Sequence, residues 1–193
     1  MNTADRILEV ALGAFAEQGV SATSLDELAK RLGVTKQTIL YHFGSKDRLL
    51  AEVVRLGAGA LLAELSNAVE ESEPGWDRVE ETVRAAFALA VRRPELLGLL
   101  REVTRLGPPS SDEVIRVLDP LIEQSVRALD RGMDSGLFRR SDPRLVLVSA
   151  YAVTTGVVTE AEVLRAVGLE LDLRVAARLR QTVLDFLSAA LLP

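Results

Sequence analysis

The chain is 193 residues long, 48% hydrophobic but only 4% aromatic, with a formal net charge of −5, no cysteine and a single histidine. That length can bury the core of one domain, or of a small domain beside a larger one. Lack of thiols excludes disulfide frameworks, thiolate zinc sites and cysteine nucleophiles, and one histidine makes no cluster, so neither a metal nor a cofactor is expected.

Thr3 and Asp5 open a first helix in which Ile7, Leu8, Ala11, Leu12 and Phe15 form one apolar stripe, and Gly19 ends it. Ser24 and Glu27 have the spacing of a capping box, in which the hydroxyl accepts from a first-turn N–H while the carboxylate reaches back to the cap. A second helix therefore starts at Leu25. Its Leu25, Leu28, Ala29 and Leu32 fall at i, i+3, i+4 and i+7, with the small Ala29 where a crossing helix can come close. Gly33 stops it, because glycine adopts the left-handed conformation that reverses the chain.

Val34 follows as an apolar plug, and Thr35 caps a short third helix from Lys36 to His42. That helix turns Ile39 and Phe43 inward and shows Lys36, Gln37, Thr38, Tyr41 and His42 outward, a set of donors, acceptors and flat rings. Helix pairs with a glycine turn are common on protein surfaces, but this outward set suits the way a helix-turn-helix presents a helix to DNA. A fourth helix begins at Ser45, with Asp47 near its positive end, and runs to about Leu65. Within it Gly57 and Gly59 either soften the helix, so that movement at its far end reaches Lys46, or are small residues that permit close packing.

Charge is distributed unevenly. Residues 1–50 carry six basic and six acidic groups, so the whole deficit lies after residue 50, and every lysine falls between Lys30 and Lys46. This suits a reader that touches DNA with one end while its acidic body stays away. By reach, Gln37 and Thr38 offer hydrogen bonds to base edges, and Lys36 reaches either a base or a phosphate. Tyr41, His42 and Lys46 are read as phosphate contacts, as are Thr23 and Ser24 with the first amides of the second helix.

The block from Thr3 to Leu50 has Phe15, Gly19, Thr23, Leu28, Ala29, Gly33, Val34, Thr38, Tyr41, His42, Phe43, Ser45, Lys46 and Leu49 at spacings that closely resemble the DNA-binding domain of the TetR family of bacterial transcriptional regulators. The resemblance covers about a quarter of the chain. It implies DNA contacts at Thr23, Ser24, Thr35, Lys36, Gln37, Thr38, Leu40, Tyr41, His42 and Lys46. Two positions depart from the family's habit: Gln37 stands where a small residue is frequent, and Leu40 where a tyrosine is. Gln37 adds a group suited to adenine, while Leu40 either touches a thymine methyl or forgoes a contact.

After Leu50 the pattern is helical throughout, so the fold expected is all-α: a three-helix helix-turn-helix domain over residues 1–50 and a larger helical domain over residues 51–193. Glu70 to Gly75 reads as a loop, Trp76 to Arg92 as a helix with Val79, Val83, Phe87 and Val91 on one face, and Pro94 to Leu106 as another. Gly107 to Ser111 is a loop, and Asp112 to Ser135 a helix broken or kinked at Pro120. Asp142 and Pro143 open a helix to about Val167, and Asp172 opens the last one, to about Leu191.

Both final helices are apolar over more than one face. Leu145 to Thr159 is uncharged but shorter than a membrane span and contains Ser149, Tyr151, Thr154 and Thr155, so no membrane partner is expected. No apolar run follows Met1, and a cytoplasmic protein is expected. The last helix carries Leu171, Val175, Leu179, Val183, Phe186 and Ala190 along one face and further leucines beside it. A monomer with two central helices would account for this, but a C2 homodimer joined through both helices as a four-helix bundle accounts for it better, and the resemblance implies the same.

A dimer places two recognition helices in successive major grooves, so the operator is expected to be a palindrome. The resemblance also implies a small-molecule effector in the larger domain, with Trp76, Phe87, Arg101, Thr104, Ile122, Met133, Tyr151 and Thr155 as candidate contacts. Few aromatics and no cluster of one charge suggest a medium-sized, largely apolar molecule. The function expected is a ligand-responsive transcriptional repressor that the effector releases from DNA. Two rivals are weaker: an enzyme lacks any grouped nucleophile, base and orienter, and a co-regulator that had lost DNA binding would not keep Thr38, Tyr41, His42 and Lys46.

Overall fold

The computed structural model describes residues 2–159, 161–170 and 172–193. They form ten α-helices and no strand: α1 (Thr3–Gln18), α2 (Leu25–Leu32), α3 (Lys36–Phe43), α4 (Lys46–Glu71), α5 (Trp76–Arg92), α6 (Pro94–Leu106), α7 (Ser110–Asp134), α8 (Pro143–Thr159), α9 (Ala161–Ala166) and α10 (Leu173–Leu191). The all-α class read from the sequence is the class observed.

Local chemistry explains most of the helix ends. Asn2 caps α1 in a reciprocal box with Asp5, Thr35 caps α3 by accepting from the Thr38 N–H, and Asp172 caps α10 by accepting from the Val175 N–H. Ser24 caps α2 by accepting from the Glu27 N–H at 3.1 Å. The other half of the expected box is not made there, since the Glu27 carboxylate takes the Arg31 guanidinium at 2.7 Å instead. Charge-assisted pairing one helical turn on competes for that carboxylate and wins.

Three helices differ from the sequence pattern. α4 runs past Leu65 to Glu71, drawn on by the burial of Val69. α7 is continuous through Pro120, so the expected break is absent: packing of Leu121, Val126 and Leu129 outweighs the lost N–H. The helix expected from Pro143 to Val167 is described as α8 and α9, with Glu160 between them outside the described residues; Leu171, expected on the apolar stripe of the last helix, is outside them too.

The chain packs as two compact units, Met1–Leu62 with Arg93–Leu118, and Ala63–Arg92 with Asp119–Pro193. This division does not fall at residue 50, because α6 lies against α1 and joins the N-terminal helices. In the first unit Ile7, Leu12, Phe15, Leu28, Ile39, Leu49 and Val53 are fully buried. Gly57 is a close-approach residue there: a Cβ on it would lie 2.7 Å from a Leu99 methyl, whereas Gly59 faces open space. Of the two roles open for Gly57, the packing role is the one the structure supports.

In the second unit Val83 and Phe87 of α5, Leu129 and Met133 of α7, Phe138, and Val183, Leu184, Leu187 and Leu191 of α10 make one core, with Trp76, Val79, Val146 and Leu179 packed against it. Val91, expected on the same face as Phe87, is exposed.

Candidate nucleic-acid interface

α2 and α3 are joined by Gly33 in the left-handed region, φ 69°, with the Val34 N–H donating to the Ala29 carbonyl at 3.0 Å. That reversal seats Ile39 in the core and leaves the opposite face of α3 in solvent. Lys36, Gln37, Tyr41 and His42 are exposed on it, while Thr38 and Leu40 are half-buried. Tyr41 is 87% exposed, far more than an aromatic ring of its size needs to be in a folded helix. Its ring meets His42 edge-on at 5.4 Å, so the two project as a pair.

The Thr35 hydroxyl caps α3 and lies 3.0 Å from the Thr38 hydroxyl, which orients Thr38 at the first turn. Lys36 donates to Asp26 at 2.8 Å across the turn. Lys46 opens α4 beside this face, half-buried and with no ion pair among the described residues. Between Thr35 and Lys46 the chain thus carries a cap, two cations, an amide, a phenol and an imidazole. Such groups donate to phosphate oxygens and read base edges.

Thr23, expected as a phosphate contact, is 1% exposed, and its hydroxyl donates to the Gly19 carbonyl at 2.9 Å, so the side chain braces the turn after α1. Ser24 remains exposed but is spent as the cap of α2, leaving the adjoining amides to meet an anion.

The candidate effector residues are dispersed. Phe87 and Met133 lie in the core of the second unit, with Trp76 packed against them. Ile122 is half-buried on α7, and on α8 Tyr151 is exposed while the half-buried Thr155 donates its hydroxyl to the Tyr151 carbonyl. Arg101 and Thr104 are exposed on α6, in the first unit.

Two contacts near this face have no signal in the sequence. Asp26 engages Lys36, a pairing with no local periodicity to announce it. Glu102 on α6 accepts from the Val20 N–H at 2.7 Å across 82 residues of chain, and nothing near it in sequence signals the contact. The Arg105 guanidinium bonded to Glu102 holds its carboxyl below the usual carboxylate range, against the opposing effect of burial.

Residues 7–53 match the family model described as bacterial regulatory proteins, tetR family. The chain is 30% identical over 144 residues, 72% of this chain and 73% of the other, to the uncharacterized HTH-type transcriptional regulator YhgD of Bacillus subtilis. The chain belongs to the TetR family. It is thus a transcriptional regulator and not an enzyme. Its fold is that of the TetR family regulator PfmR of Thermus thermophilus, at 27% identity and a TM-score of 0.75 over 96% of this chain and 98% of that one. The regulator AibR, solved in complex with isovaleryl coenzyme A and operator DNA, has the same fold at 17% identity and a TM-score of 0.78, over 98% of each chain. No helix among the described residues of this TetR-family chain is long and apolar enough to cross a membrane.

Proposed function

We propose that this TetR-family regulator is a repressor that binds a palindromic operator as a homodimer and is released by a small molecule, acting in the cytoplasm. The observation that carries the reading is the outward face of α3, where Lys36, Gln37, Tyr41 and His42 stand in solvent beside Lys46. Residues 1–50 read DNA, and residues 51–193 hold the effector and the second copy.

Support for the homodimer comes from α8 and α10. Leu145 is 66%, Val148 63% and Phe186 58% exposed, and a groove of about 220 Å³ lies between the two helices, lined by Leu145, Ser149, Phe186 and Ala190 among others. Apolar side chains concentrated on adjoining helices mark a surface that a partner covers. A C2 arrangement then offers α3 of each copy to successive major grooves, about 34–36 Å apart.

The effector is medium-sized and largely apolar, taken up against the apolar core around Trp76, Phe87 and Met133. Gel retardation with the DNA upstream of the protein's own gene tests the reading. A shifted band that survives excess unrelated DNA is expected; its absence at low salt would remove DNA reading as the function of the α3 face.

A further inference from the structure

The Val20 N–H lies just past the end of α1, whose last bond is made by the Gly19 N–H to the Phe15 carbonyl at 3.1 Å. Val20 is buried, so its N–H has neither a helical acceptor nor water. The acceptor it finds is Glu102 Oε1, at 2.7 Å, on a side chain that is itself buried. Two bonds from Arg105, through Nε at 2.8 Å and Nη2 at 2.9 Å, fix that carboxylate's orientation and balance its charge. A buried charge is tolerated only when it is hydrogen-bonded and paired in this way.

The same turn leads directly into the DNA-reading motif. Gly19 is held at φ 84°, a conformation that favours glycine, and a Cβ on it would come within 3.1 Å of Glu102 Oε1. Its carbonyl accepts the Thr23 hydroxyl at 2.9 Å, and the next residue, Ser24, caps α2. From α6 to the start of α2 there is thus a continuous series of hydrogen bonds, all within the first compact unit.

We propose that Glu102 is a positioning residue for DNA binding: from α6, its carboxylate fixes the Gly19–Val20 turn and with it the placement of α2 and α3. Glu102 touches no DNA. Its effect passes through the Val20 N–H, and the proposal rests on the reading of α3 as the DNA-binding helix.

The test combines amide hydrogen exchange with binding to the upstream DNA fragment, measured as a function of salt. In the wild type the Val20 amide is expected to exchange slowly and the exposed Ser21 amide quickly. Glu102→Ala should bind about tenfold more weakly with an unchanged salt slope, because a buried acceptor is lost and no phosphate contact is. Glu102→Gln should stay within about threefold of wild type, since its amide oxygen still accepts from Val20. Should the alanine variant fail to fold, Glu102→Asp takes its place, keeping the charge for Arg105 but withdrawing the oxygen from Val20, and the same loss is expected.

Val20 exchanging as fast as Ser21 in the wild type would overturn the proposal. So would a glutamine variant as weak as the alanine or aspartate one, or an alanine variant that folds and binds as the wild type does. A wild type that binds no DNA at all would defeat the underlying reading and this proposal together, an outcome distinct from wild-type binding that ignores Glu102.

Discussion

The Lys36 ammonium on α3 lies 2.8 Å from the Asp26 carboxylate on α2, so the cation best placed to meet DNA is already paired when DNA is absent. Both side chains are well exposed, which makes the pair weak, about 0.2–1 kcal/mol, and easily exchanged for a phosphate. Asp26→Asn should therefore strengthen binding to all sequences by about two- to tenfold at low salt, an advantage that shrinks as salt rises. Titrations of both proteins at two ionic strengths check this; equal affinities at low salt would mean that Lys36 takes no part in the complex.

The proposed interface gives Lys46 and Gln37 different roles, one toward phosphate and one toward a base. Lys46→Ala should weaken binding to every sequence and lower the slope of log affinity against log salt by about 0.9 for each copy on the DNA, the share of one phosphate contact, and so by about 1.8 for the dimer. Gln37→Ala should change base preference at one position in each half-site, by about 1–3 kcal/mol for a bidentate contact. An unchanged slope in the first variant, or a uniform loss in the second, would reverse the two roles.

Thr23→Val keeps the shape of a buried side chain but leaves the Gly19 carbonyl without its donor. Thermal and urea unfolding should show a loss of about 1–3 kcal/mol. The salt slope of DNA binding should match the wild type, because the hydroxyl faces the turn. A reduced slope with full stability would restore Thr23 as a phosphate contact.

Phe186 and Val183 lie three residues apart on α10 and have opposite environments, 58% and 3% exposed. Phe186→Arg should give a folded monomer by sedimentation, since it places charge on the surface proposed to meet a second copy. Val183→Arg should instead unfold the second unit, because its side chain sits among Val83, Phe87 and Leu187. A folded dimer from Phe186→Arg would move the interface off this face.

The helix-turn-helix was legible because its signals are local. Caps at Ser24 and Thr35, the glycine at residue 33 and the stripes of α1 and α2 each act within a few residues, and each forms where its spacing implies, save that Glu27 leaves the Ser24 box half made by turning to Arg31. Long-range packing was not legible. The direction of Thr23 depends on the Gly19 carbonyl, the role of Gly57 on a Leu99 methyl that arrives from α6, and the course of α7 through Pro120 on burial further along it. α10 was apolar enough to predict two contact surfaces, but periodicity could not say that Val183 faces its own unit while Phe186 faces solvent.

The account turns on paired recognition helices, and footprinting on the DNA upstream of the protein's own gene tests that most directly. Protection over two symmetric half-sites, with centres one helical turn apart or a multiple of it, is the result expected, and Phe186→Arg should abolish the symmetric pattern. Protection of a single unsymmetric stretch, unchanged by Phe186→Arg, would contradict it.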